Sequence, residues 1–218
     1  MNAASATQPS QQQQDPGSLG QAPATVRLGG WLFERRTWLP LPLAIALLVL
    51  PADTKRGLAP FFGAVIIALG EGIRLWGVHH IGAISRTRSD RLGPLISSGP
   101  FALVRNPLYL GNVALWVGFA LAARILWMAP VIVLVLGFEY HAIVRWEETL
   151  LASRRGDEYR AYAARVPRWL PNPFGAPSSS PATGPAAAFS WRDTFFSERG
   201  TFAAIAAGYL LLWIKARF

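Results

Sequence analysis

A chain of 218 residues is long enough for one or two soluble domains, but 52% of its residues are hydrophobic, only 15% are charged, and its mean hydropathy is positive. The absence of cysteine excludes disulfides, thiolate metal sites and cysteine nucleophiles. A net charge of +9, with no basic-aromatic nucleic-acid module beside it, suits an anionic lipid surface, so the expected partner is the bilayer and not a nucleic acid; composition leaves the oligomeric state open.

Residues 1–26 are rich in Gln, Ser, Ala and Pro, lack the basic start and apolar centre of a signal peptide, and read as a disordered tail. Trp38 to Ala52, W-L-P-L-P-L-A-I-A-L-L-V-L-P-A, predicts a first span, although it is short of the roughly 20 residues of a straight crossing. Leu58 to Val78 predicts a second, with Gly63, Gly70 and Gly77 on one face where a neighbouring helix can approach closely. Within it Glu71 and Arg74 stand three residues apart, at ion-pair spacing. Two readings stay open for them, structural pairing or the lining of a site; in the second, Arg74 handles the polar head of a substrate.

His79 to Gly99 carries Arg86, Arg88 and Arg91 among Gly, Ser and Pro, and reads as a cytoplasmic loop closing over a site. Asn106 is a favourable N-cap and Pro107 a favourable first helical residue, so a helix is predicted from there to about Ala123, with a tight turn at Arg124. A fourth apolar run, Ile125 to Ile143, is predicted to continue as helix through R-W-E-E-T-L-L-A-S-R-R until Gly156 ends it. Asp157 to Arg165 predicts a short amphipathic helix with Tyr159, Tyr162 and Val166 on one side. Residues 171–190 form a Pro, Ser and Ala-rich linker, and 191–218 a C-terminal membrane-associated helix whose apolar run, Thr201 to Ile214, is short for a square crossing. The expectation is therefore an all-α polytopic membrane bundle, with a core at 27–170, about five membrane-embedded helices and a cytoplasmic cofactor pocket. A cytoplasmic N-terminus puts most arginines between Arg27 and Arg168 inside, against Lys55, Arg56 and Arg124 outside, as the positive-inside rule requires.

Two polar clusters fall on that inner side. At the start of the helix at Pro107, unpaired N–H groups and a partial positive charge are joined by the forked cation of Arg105, while Tyr109 brings a ring and a hydroxyl one turn on. Such a place holds a carboxylate or phosphate well, but it also reads as an interfacial Arg and Tyr anchor. Glu147 and Glu148 form the second cluster, at the negative pole of the preceding apolar helix. One carboxylate can meet Arg145 and the other face a cationic ligand, or both can belong to a solvated face. His79, His80 and His141 lack acidic partners at metal-ligand spacing, so no metal is expected. Phosphate-loop, dinucleotide-binding, serine-hydrolase and zinc-protease motifs are all missing.

Read together, G-P-F-A-L-V-R-N-P-L-Y-L-G at Gly99 to Gly111 and E-E-T-L-L-A-S-R-R-G-D-E-Y-R-A-Y-A-A-R-V-P-R-W-L-P at Glu147 to Pro171 resemble the isoprenylcysteine carboxyl methyltransferase family of integral-membrane methyltransferases, relatives of the phospholipid N-methyltransferases. The resemblance implies S-adenosylmethionine bound on the cytoplasmic side, with Leu103, Val104, Arg105, Asn106 and Tyr109 lining it and Glu147 taking its ammonium or ribose. Glu148 aligns with the acidic residue at the family's reaction centre, and Arg145 and Glu148 are the catalytic candidates beside Arg74 for the substrate. Asn106 stands where the family usually has His, and it cannot titrate near neutral pH. The implied reaction is methyl transfer to a lipid or lipid-linked amphiphile. The rivals are a nicotinamide-dependent membrane reductase of the sterol-reductase type, for which the chain is short, and a non-catalytic scaffold or lipid binder.

Overall fold

Glycine or proline marks an end of most of the helices among the described residues. The computed structural model describes residues 23–53, 57–82, 95–172 and 190–217. Among them all regular structure is helical: α1 (Ala24–Arg35), α2 (Leu41–Val49), α3 (Ala59–Ile81), a 3-10 turn (Gly99–Ala102), α4 (Pro107–Ala122), α5 (Met128–Arg155), α6 (Asp157–Arg165) and α7 (Trp191–Lys215). The tail before residue 23, most of the arginine-bearing loop after α3 and most of the linker lie outside the described residues, as do Lys55 and Arg56 of the charge comparison.

α3 and α5 are long and apolar enough to cross a membrane, and α4 is a shorter apolar helix. The predicted first span is not one crossing helix. α1 stops at Arg35, and α2 has nine residues, about 13 Å at 1.5 Å per residue, against a hydrocarbon core of about 30 Å. The break lies at Pro40 and Pro42, which have no N–H to continue the helical ladder. α7 is one helix of 25 residues within the 191–218 segment, and it starts ten residues ahead of its apolar run. Ser190 caps it by accepting from the Asp193 N–H at 3.1 Å, and its charged first half finds partners on α3.

The tightest packing is that of α3 on antiparallel α4. A Cβ added at Gly63 would lie 2.6 Å from the Gly118 carbonyl oxygen, and one at Gly70 would lie 2.9 Å from that of Gly111, so the two backbones touch where the glycines face one another. α5 forms the centre: Ile132, Leu136 and Ile143 are fully buried against Leu43 and Leu47 of α2, Ile125, and Leu32 of α1. The turn between α4 and α5 puts Arg124 at a positive φ of 58°, and its carbonyl accepts from the Asp53 N–H at 2.9 Å, tying two connections together at that end. Gly156, at φ 53°, ends α5 as predicted and lets α6 fold back, with Tyr159, Tyr162 and Val166 packed against Leu95 and Leu151.

Candidate functional site

The end of the molecule where α4 begins and α5 finishes gathers most of the polar residues singled out above. Glu148 Oε1 lies 2.9 Å from Arg105 Nη1, joining the last turns of α5 to the residue just before α4. Arg168, beyond α6, grips the same carboxylate in the forked geometry: Nε donates to Oε1 at 3.0 Å and Nη2 to Oε2 at 2.6 Å. That grip raises the affinity of Arg168 for its proton above the usual arginine range, so it is charged at every working pH. Burial raises the Tyr159 hydroxyl above its usual range, despite its hydrogen bond with Arg105. One turn into α4, the Tyr109 hydroxyl donates to Glu147 Oε1 at 3.1 Å, and its ring leans on Tyr140 with centroids 4.7 Å apart.

The chain after α6 is laced to the chain before α4. Arg105 N donates to the Pro167 carbonyl at 2.9 Å, Asn172 N to the Leu103 carbonyl at 3.0 Å, and Asn106 Nδ2 to the Arg168 carbonyl at 3.1 Å. Asn106 thus occupies the N-cap position of α4, but its side chain makes no cap bond and spends its amide on this crossing instead. The first N–H groups of α4 are left open toward the site. Tyr162 reaches the same region by donating to the Phe101 carbonyl at 2.8 Å.

Arg105, Asn106, Tyr109, Glu147 and Glu148 therefore lie together. Leu103 contributes its carbonyl, and Val104 is buried at 4% exposure. Arg145 is exposed on α5; the ion pairs of Glu148 go to Arg105 and Arg168, not to Arg145. Arg74 is elsewhere, in a half-buried cluster about a turn deeper along α4. Its Nη2 lies 2.5 Å from Glu198 Oε2 and 3.2 Å from Thr201 Oγ1, both on α7, and its Nη1 donates to Asn112. Glu71 Oε2 lies 3.5 Å from Arg74 Nε, an ion pair without a hydrogen bond. The histidines have separate partners: His79 pairs with Thr194 Oγ1, His80 with the Trp76 carbonyl and His141 with Trp169.

Two residues were not legible from sequence. Arg168 lay in the resemblance block without a role of its own. Arg36, between α1 and α2, lies 4.0 Å over the Phe33 ring, which leans on Trp146, and its charge acts on Glu147, Tyr109 and Tyr140. No motif marks Arg36; its position depends on α1 packing across α5.

A helix N-terminus, two arginines and two carboxylates thus converge where α4 begins and α5 ends. The chain belongs to the phospholipid methyltransferase family of integral-membrane methyltransferases, whose model matches residues 58–157. It is similar to the nickel-cobalt-cadmium resistance protein NccN of Alcaligenes xylosoxydans xylosoxydans, 32% identical over 98 residues, covering 45% of this chain and 43% of that one. It is also similar to the cobalt-zinc-cadmium resistance protein CzcN of Cupriavidus metallidurans, 30% identical over 109 residues, covering 50% and 47%. The chain thus matches less than half the length of either. An uncharacterized protein of Haemophilus influenzae is 46% identical over 63 residues, 29% of this chain and 79% of that one. No solved structure matches it.

The residues present fit the cofactor that such a family implies. Open N–H groups at the start of α4 and Arg105, whose buried Nε has no hydrogen-bond partner among the described residues, suit a carboxylate. Glu147 has an oxygen beyond the one bonded to Tyr109 for an ammonium or a ribose hydroxyl.

Proposed function

We propose that this protein transfers a methyl group from S-adenosylmethionine to a lipid or lipid-linked amphiphile at the cytoplasmic face of the membrane. The observation that carries the reading is the double tie between the start of α4 and the end of α5, Arg105 to Glu148 and Tyr109 to Glu147, which makes one site of the two sequence blocks. Cytoplasmic orientation is supported by the seven arginines at this end, Arg105, Arg145, Arg154, Arg155, Arg160, Arg165 and Arg168, against Arg124, Lys215 and Arg217 at the other. In this reading α2, α3, α4, α5 and α7 are the membrane-embedded helices.

When bound, the cofactor supplies an electrophilic methyl group and its own leaving group, so the protein needs no nucleophilic side chain. Its residues bind and align. The α4 N-terminus and Arg105 hold the anionic end, and Glu147 holds the cationic or ribose end with Tyr109 fixing its carboxylate. Glu148, held by two guanidiniums, is a positioning residue that keeps Arg105 in place. Asn106 does the work of lacing without titrating, so no proton step passes through the position where the family usually has His. The resistance proteins share only part of this chain's length, and our reading draws nothing from the metals in their names.

Calorimetry with S-adenosylmethionine, its demethylated product and NADPH tests the reading. Binding of the first two is expected. Binding of NADPH alone would favour the reductase reading, and binding of none would leave a scaffold.

A further inference from the structure

α7 is fastened to the rest of the protein at its two ends and stands away from it between. At one end Glu198 and Thr201 bond to Arg74, and Trp191 stacks on His79 with centroids 4.2 Å apart. At the other, Lys215 Nζ donates to the Leu47 and Leu50 carbonyls at 2.7 and 2.5 Å, capping the end of α2. In the middle Gly208 and the Tyr209 ring both meet the Phe119 ring. Between these points lies a cavity of about 740 Å³, bounded by α2, α4 and α7, the size of a pocket for a ligand of several hundred daltons.

The cavity has a polar cluster in an otherwise largely apolar lining, to which Thr37 adds a hydroxyl. Arg74, Asn112 and Thr201 line it, and their bonds to one another or to Arg74 place them together. The walls elsewhere are largely apolar, among them Leu47, Leu48, Leu115, Trp116 and Leu211. That polar cluster is continuous with the cofactor cradle: Asn112 hydrogen-bonds Tyr140, whose ring leans on Tyr109, and Tyr109 donates to Glu147. A molecule filling such a space has one polar head and a hydrocarbon tail.

We propose that this cavity seats the hydrocarbon chain of the methyl acceptor, its head at Arg74, Asn112 and Thr201, with α7 as the wall that sets the length of chain admitted. The proposal rests on the methyltransferase reading. α2 and α7 both lie outside the residues matched by the family model, so two of the three helices that bound the cavity are not part of the matched region. Ala204 lines the cavity partway along α7 and is exposed, so a larger side chain there enters the space without disturbing packed neighbours.

The test is native mass spectrometry of the full chain in detergent, titrated with dodecanoyl and hexadecanoyl lysophosphatidylethanolamine, beside calorimetry with S-adenosylmethionine. In the wild type the longer chain should bind at least tenfold tighter. Ala204→Phe should lose that preference by at least tenfold and keep its cofactor affinity. Leu211→Ala, which enlarges the cavity, should keep or extend the preference for the longer chain, and it serves if Ala204→Phe fails to fold. Equal affinities for both chains in the wild type, or an unchanged preference in a folded Ala204→Phe, overturn the proposal. Chain-length selectivity without cofactor binding would leave the cavity a lipid seat while sinking the methyltransferase reading.

Discussion

In Glu148→Ala, the guanidiniums of Arg105 and Arg168 both lose their carboxylate. Three contacts go, at 2.9, 3.0 and 2.6 Å. The Arg105 and Glu148 side chains are each 14% exposed and that of Arg168 is 26% exposed, so water reaches the second arginine more readily than the first. Removing one member of a buried pair costs about 3–5 kcal/mol, and because exposure screens part of the Arg168 share we expect about 3 kcal/mol. At about 2–4 °C per kcal/mol for a chain of this size, the midpoint of thermal unfolding in detergent should fall by about 6–12 °C. Arg168→Ala in the same background should cost much less than it does alone, because its partner is already gone. A fall corresponding to under about 1 kcal/mol, the size of a surface pair, would refute the bracing role of Glu148.

Three further outcomes follow from the same contacts. Arg36→Ala removes a cation that offsets Glu147; it should lower stability by about 1 kcal/mol and be partly rescued by Glu147→Gln, with a coupling of at least about 0.5 kcal/mol in a double-mutant cycle. Tyr162 is raised by burial from 10.0, so its neutral form is favoured in the fold. Stability from it is present below pH 10.0 and falls as pH rises above that value, where the unfolded tyrosine ionises first; an alkaline series of unfolding midpoints should decline less steeply in Tyr162→Phe. Gly118→Ala should cost about 1–3 kcal/mol, since its Cβ would lie 2.6 Å from Ile67 Cγ1 and 2.8 Å from the Gly63 carbonyl, whereas Gly137→Ala on α5 meets open space at an ordinary helical position and should cost nothing or stabilise by up to about 1 kcal/mol; equal losses in chemical unfolding would contradict the close approach of α3 and α4.

The bounds of α4, α5 and α6 were legible because Pro107, Gly156 and the Val166-Pro167 step punctuate the sequence where the helices change direction. The glycine face of α3 was legible because its spacing is a property of one helix. The run at α2 was misjudged for the opposite reason: hydropathy counts apolar residues, while the prolines at the start of α2 act through backbone chemistry, and the Glu198 to Arg74 contact of α7 depends on a partner 124 positions away. The site shows the same division. Arg105, Tyr109 and the two glutamates stood out through residue type and helix position. Arg145 looked like the partner of Glu148 because it shares its helix, yet the fold delivers Arg168 by folding α6 back at Gly156. Arg36 could be found only once α1 was known to cross α5.

The lacing between Leu103–Asn106 and Pro167–Asn172 also dictates when the site can exist during synthesis. Asn106 and Arg168 are 62 residues apart, with α4, α5 and α6 between them. A nascent chain can therefore deliver both α4 and α5 into the bilayer while Arg105 is still without its second clasp, since Pro167, Arg168 and Asn172 have yet to emerge. The crossing between the two segments thus closes after α4 and α5 have been made, as one of the last events in folding this part of the protein.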